Sequence, residues 1–285
     1  MFVNPFRRPF RRAQAALVPL VAALLAPAVA AQEVVDRWRP NPPASSYGYR
    51  FDDLFSLITL LIGVSFAIVL VLLIIPVIRD RARPGHKASF DHGRSLHDKR
   101  FTAAVSVTVF LVLDAWVLIV AMTDLREGFW KVPVPDEPDV LQVEVLAQQW
   151  AWNIRTPGTD GKFGTADDIV TINEFTVPQD RPISVNVASK DVIHSFFLPD
   201  MRMKRDANPG AINQCWFEPI KPGDFDLLCA ELCGIAHYQM HGKLHVLPEA
   251  DYAEWEKEAS HVATAAFDPA DTEAGWAWDF KEQER

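Results

Sequence analysis

Two uninterrupted apolar runs restrict this chain more than any other feature. Leu54 to Ile78 is 25 residues long and carries no charge, and Phe101 to Met122 is 22 residues long with one, Asp114. Either run, as a helix, can cross a bilayer core of roughly 30 Å. The core helices of soluble proteins are seldom so long and so free of charge, so the runs predict transmembrane helices over 54–78 and 101–122. Between them, residues 79–100 hold seven basic groups against three acids. A short basic loop stays on the cytoplasmic side. The chain is therefore expected to enter and leave the membrane as a two-pass hairpin, with both flanking parts exported.

The N-terminus agrees with export. Arg7, Arg8, Arg11 and Arg12 precede a compact apolar stretch, Ala15 to Ala26, and Ala28-Val29-Ala30 offers a small-residue cleavage site. A transit peptide is also rich in arginine and poor in acids, but the compact apolar core favours a secretory signal over 1–31. Residues 32–53 then form an exported N-terminal segment. Charge is divided in the same way: residues 1–122 carry a net +6 and residues 123–285 a net −15. An acidic exported part on a membrane anchor suggests a cationic partner and argues against nucleic acid.

After a linker over 123–134, the pattern changes to period two. Apolar residues alternate at Leu141, Val143 and Val145, at Ile183, Val185 and Val187, and at Leu244 and Val246. Pro-Gly pairs at 157–158, 209–210 and 222–223 mark turns between them. Residues 135–247 thus read as an antiparallel β-sandwich or barrel, and 248–285 as a terminal helix with an acidic tail. The stretch TPGTDGKFGTADD, within 155–172, places Asp160, Asp167 and Asp168 among glycines. A solvated hairpin tip fits better than a calcium loop, because the EF-hand order of ligands is absent.

Chemistry concentrates in one dozen residues, CAELCGIAHYQM, Cys229 to Met240. Cys233, His237 and Met240 have the Cys-x₃-His-x₂-Met spacing of a copper electron-transfer loop, in which a histidine from an earlier strand completes the set. His194, 35 residues before Cys229, supplies it. Cys229 is surplus to a mononuclear site. Two thiolates on one tight loop can bridge two copper ions, each with one imidazole, His194 or His237. Met240 and a backbone carbonyl, that of Glu231 between the cysteines, serve as weak ligands. A Cys229–Cys233 disulfide and a tetrahedral zinc site are the competing readings. The disulfide does not call for His194, His237 and Met240, and zinc has no use for the thioether. Cys215 reads as a small buried strand residue.

The loop, preceded by IHSFF and DANPG and by the segment QWAW, resembles subunit II of the haem–copper cytochrome c oxidases, and the order of segments matches along nearly the whole chain. The resemblance implies a membrane-anchored all-β protein, a two-helix transmembrane hairpin followed by a cupredoxin-like β-barrel. It implies a dinuclear copper-A centre on His194, Cys229, Glu231 (by its main-chain carbonyl), Cys233, His237 and Met240. It also implies a magnesium ion shared with subunit I through the Glu231 side chain. Electrons would arrive from cytochrome c or a similar cationic donor through Trp150, while Trp152 packs in the core. They would pass to haem held only by subunit I, where O₂ is reduced to water with proton translocation. The expected location is the cell inner membrane, with the copper domain on the periplasmic side and other oxidase subunits as neighbours. A copper-A subunit of a nitric oxide reductase-type complex is the alternative. Ala151, between the two tryptophans, replaces a common aromatic, and the family's glutamate near the start of the second helix has no clear counterpart. Asp114 reads as a protein-facing residue that makes a single hydrogen bond to the neighbouring subunit, with a proton path as the sharper alternative for it or for Asp98.

Overall fold

The computed structural model describes residues 41–85, 92–131, 133, 139–268 and 270. The expected signal segment, 1–31, lies outside them. Helix α1 runs over Gly48–Arg79 and α2 over Leu96–Trp130, and both are long and apolar enough to cross a membrane. Each extends past the apolar run that predicted it. Ser95 starts α2 by accepting a hydrogen bond from the Asp98 amide at 3.1 Å, an ordinary N-cap. At the other end, Thr123 to Trp130, expected as linker, continues the helix as a wider π-type turn over Leu125–Trp130. It continues because it has something to pack on: a Cβ on Gly128 would lie only 1.7 Å from the Tyr47 ring, so glycine admits that ring against the helix. Asp114 ends a second π-type turn, Phe110–Asp114, and lines a groove between the two helices with Ile58, Leu61 and Ser65 of α1.

The rest is a β domain of two five-stranded sheets. In chain order the strands are β1 (Leu141–Gln148), β2 (Ala151–Thr156), β3 (Ile169–Ile172), β4 (Glu174–Pro178), β5 (Ile183–Ser189), β6 (His194–Leu198), β7 (Met203–Ala207), β8 (Asn213–Phe217), β9 (Gly223–Cys229) and β10 (His241–Leu247). The first sheet has the order β3-β2-β1-β5-β8 and the second β4-β10-β9-β6-β7. β1 pairs in parallel with β5, and β10 with β4, while the remaining pairs are antiparallel. Alternation drives the packing. On β10, Gly242, Leu244 and Val246 turn inward and Lys243 outward, and Leu244 and Val246 share one core with Val143, Val145, Val185 and Phe196. This is the cupredoxin-like architecture, a two-sheet barrel carried on two membrane-type helices. Helix α3, Glu249–Ala266, follows β10 and packs Tyr252 into the barrel.

A buried ion pair lies on the other face of the first sheet, at positions that alternate with the core residues Val143, Val145 and Ile154. Glu144 and Arg155 face each other across β1 and β2, and Arg155 Nε donates to Glu144 Oε2 at 2.7 Å. Arg155 also lies 3.6 Å from Asp168, which anchors the insertion loop. In that loop Asp167 accepts hydrogen bonds from the Asp160 amide and from the hydroxyls of Thr159 and Thr165. Its carboxylates are thus used in folding the loop on itself.

Residues 43–47 run as a strap between hairpin and barrel. Ala44 N donates to Asp200 O and Ile220 N to Ala44 O, and Ser45 Oγ donates to Met201 O at 2.7 Å. Arg202, just before β7, forms a two-point ion pair with Asp52 of α1, at 2.8 and 2.9 Å.

Candidate metal centre

β10, β9 and β6 are neighbours in the second sheet. At one end of the sheet, β6 begins with His194, β9 ends with Cys229 and β10 begins just after Met240. The chain between Cys229 and Met240 therefore has to turn back on itself over the end of the sheet. Two backbone bonds close it, Cys229 N to Met240 O and Ala230 N to Ser195 O, and a short helical turn, His237–Gln239, carries the second histidine. Residues distant in sequence are brought together because they cap adjacent strands.

The donor atoms converge. The Sγ atoms of Cys229 and Cys233 are 3.7 Å apart, and both thiols are free, so they are not joined as a disulfide, whose S–S bond is about 2 Å long. His237 Nδ1 lies 3.5 Å from Cys233 Sγ, and His194 Nδ1 lies 4.0 Å from Cys229 Sγ. Met240 Sδ is 3.7 Å from Cys233 Sγ and 3.2 Å from His194 Nδ1. The Glu231 carbonyl oxygen is 3.2 Å from Cys229 Sγ. His194, Cys229 and Cys233 alone form a compact ligand group, and His194, Cys233 and Met240 are buried.

The buried histidine and the two thiols hold their protons differently. His194 Nε2 lies 2.9 Å from Asp191 Oδ1. The proton belongs on that nitrogen, which leaves the Nδ1 lone pair directed at the sulfurs. Burial opposes the ionisation of Asp191. Hydrogen bonds from His194 and from the amides of Gln149 and Val192 outweigh it and hold the carboxyl below its ordinary pKa. The two thiols diverge. Burial raises Cys229, but hydrogen bonding to His194 and backbone groups brings it down to about 6. Burial and the neighbouring Cys229 push Cys233 up to about 12. The pair gives up one proton readily and holds the second until a cation arrives to stabilise two adjacent thiolates.

These donors fit a soft transition metal: two sulfurs 3.7 Å apart, two imidazoles and a buried thioether. Tetrahedral zinc would use the first four and leave unexplained why Met240 sulfur is turned into the site.

Trp150 lies against this loop. It is 38 % exposed, and its Nε1 donates to Cys233 O at 3.3 Å, beside Gln149 Nε2, which donates to the same oxygen at 2.8 Å. Gly234 has φ +123°, and a Cβ there would stand 2.8 Å from Gln149 and 3.1 Å from Trp150. Trp152 is fully buried, edge-on to His194 and Phe196 with ring centroids 6.1 and 5.5 Å away. Cys215 is buried on β8, its Sγ directed to Val185 O, and burial raises its thiol to about 12. Asp191, Gln149 and Gly234 were not singled out from sequence. The only signal for Asp191 was its place three residues before His194.

A β domain of this architecture, with a sulfur-rich centre over one sheet end and a two-helix anchor, defines a membrane-bound cupredoxin-like metalloprotein. Residues 141–246 match the family profile described as cytochrome C oxidase subunit II, periplasmic domain. The chain is 30 % identical over 260 residues to the alternative cytochrome c oxidase subunit 2 of Bradyrhizobium diazoefficiens, which covers 84 % of this chain and 90 % of the relative. It is 35 % identical over 137 residues to the heme-copper oxidase subunit 2 of Aeropyrum pernix, 47 % of this chain and 55 % of that one. The crystal structure of the periplasmic domain of cytochrome oxidase subunit II from Bradyrhizobium japonicum covers 46 % of this chain and 98 % of its own, at 32 % identity and a TM-score of 0.38. The chain belongs to the cytochrome c oxidase subunit II family, and is a membrane-anchored subunit of a haem–copper oxidase.

Proposed function

We propose that this subunit admits electrons to the oxidase and that its sulfur loop holds a dinuclear copper-A centre. The observation that carries the reading is the pair of free thiols 3.7 Å apart, each faced by an imidazole Nδ1. Cys229 and Cys233 would bridge, His194 and His237 would each complete one metal, and Met240 and the Glu231 carbonyl would be the weak ligands. Bound there, two copper ions would supply a one-electron couple shared over both nuclei. Trp150, exposed outward and hydrogen-bonded inward to the loop, is the residue through which electrons arrive. The donor, cytochrome c or a similar cationic protein, loses one electron per encounter. The electron then leaves for haem in subunit I. The Glu231 carboxylate, on the exposed side of the loop, is assigned to a magnesium ion shared with subunit I, a hard cation suited to oxygen ligands. The basic 79–100 loop and the segment 1–31 support insertion into the inner membrane, with the copper domain on the periplasmic side.

Metal analysis and electron paramagnetic resonance on the purified oxidase test the centre. Two coppers per chain, with one unpaired electron coupled to both nuclei, are expected. Cys229→Ser should leave at most a mononuclear site. A wild-type chain with one isolated Cu²⁺, or with zinc alone, overturns the reading.

A further inference from the structure

The carboxylate of Asp191 faces two ways. Through Oδ1 it accepts a hydrogen bond from His194 Nε2 at 2.9 Å, and through Oδ2 one from the Gln149 amide at 2.7 Å. Gln149 is the residue before Trp150, and its side chain reaches across to Cys233 O at 2.8 Å. Trp150 donates to that same oxygen. A closed circuit results: His194, Asp191, Gln149, Cys233, and back through the sulfur pair to His194. We propose that Asp191 and Gln149 are positioning residues that join the electron-admitting tryptophan and the ligand loop into one hydrogen-bonded unit, so that Trp150 keeps a fixed contact with the loop.

The proposal rests on the function assigned above, and three observations support it independently of any metal. His194 is fully buried, so its outer nitrogen needs a protein partner, and Asp191 provides one. Trp150 is partly exposed and joins β1 to β2 at a two-residue turn, a place that would otherwise leave its ring free to reorient. Gly234 lets the loop backbone lie flat against the indole, where any side chain would collide with Gln149 and Trp150. Contact, hydrogen bond and glycine all act on the same few atoms. Fixing a donor group's distance and orientation removes conformers in which transfer is slow, and outer partners of ligands of this kind typically change affinity or activity by about 10–100-fold.

The test uses the assembled oxidase in detergent. Gln149→Ala touches no ligand side chain. It should keep full copper content and an unchanged visible spectrum, yet slow electron uptake from reduced cytochrome c by about tenfold. Asp191→Asn can hold His194 or the Gln149 amide but not both. It should raise the reduction potential of the centre, and in the copper-free chain it should speed hydrogen exchange at the Gln149 amide. Wild-type uptake in Gln149→Ala, together with an unshifted potential in Asp191→Asn at full copper content, overturns the proposal. If Asp191→Asn fails to assemble, the Gln149→Ala uptake rate decides alone. Failure of the functional reading looks different: the wild-type chain itself would lack the paired copper signal, whereas amide exchange at Gln149 in the copper-free chain would still report on the Asp191 link.

Discussion

Trp150 and Trp152 are two residues apart on adjoining positions of one hairpin, and their surroundings give them opposite work. Trp150 meets solvent with one edge and the ligand loop with the other. Its removal should slow electron uptake sharply and leave the copper spectrum as it was, measured by stopped-flow mixing with reduced cytochrome c. Trp152 is enclosed by Phe196 and His194. Trp152→Ala should cost about 3–5 kcal/mol of stability, the range for a large aromatic lost from a core. Its indole nitrogen is buried and finds no hydrogen-bond partner among the described residues. Trp152→Phe deletes that unpaired donor with much of the ring, so it should cost far less than alanine. Thermal unfolding separates these outcomes, and equal losses in both variants would overturn the reading of the ring nitrogen as an unpaired donor. The sequence distinguished the two tryptophans only by resemblance. Alternation along one strand would place both on the same face, and it is the hairpin turn at Gln149 and Trp150 that separates them.

At the scale of elements, the membrane helices and the strands β1, β5 and β10 were legible because each repeats a simple pattern: continuous apolarity, or period two. That Cys229, Cys233, His237 and Met240 would converge was legible because they sit within a dozen residues at distinctive spacings, whereas His194 arrives from another strand. What was not legible depends on contacts between distant segments. The helical path of Thr123 to Trp130 follows from Tyr47 packing on Gly128, and nothing local announces it. The Asp191 circuit needs β6 brought beside the β1–β2 turn. The Asp52–Arg202 pair, 150 residues apart in sequence, is another such contact. It ties the first turns of α1 to the strand next to β6, and the Arg202 side chain is 9 % exposed. Asp52→Ala leaves that guanidinium without its carboxylate. The expected loss is about 1–2 kcal/mol, between an exposed pair and a buried one, because Asp52 is 32 % exposed and Arg202 keeps the Pro199 carbonyl, seen as a lower midpoint in thermal unfolding of the detergent-solubilised chain. Asp52→Asn, which keeps one acceptor for Arg202, should recover part of it. A midpoint unchanged in both variants would show that the strap at residues 43–47 holds hairpin and barrel together without the ion pair.

For the whole molecule, charge and apolar surface divide the task of meeting a donor. Residues 123–285 carry a net −15, which would attract the proposed cationic donor from a distance. The loop over the metal site is different: Leu232, Ile235 and Tyr238 are 76, 91 and 78 % exposed, and they share the loop that touches Trp150. Long-range attraction should set how often the partners meet, and the apolar rim how long they stay. Screening acts on the first alone, because exposed charges stop sensing each other beyond about 8–10 Å near physiological ionic strength. The second-order rate constant for electron uptake should therefore fall steeply as salt rises, while the rate at saturating donor barely changes. Ile235→Ser should show the reverse: a larger dissociation constant, faster release, and the same slope of log rate against ionic strength as wild type. Stopped-flow kinetics over a salt series with both proteins measures each quantity. A flat wild-type salt dependence would mean that the donor docks by apolar contact alone, and a changed slope in Ile235→Ser would mean that the rim takes part in the electrostatic approach.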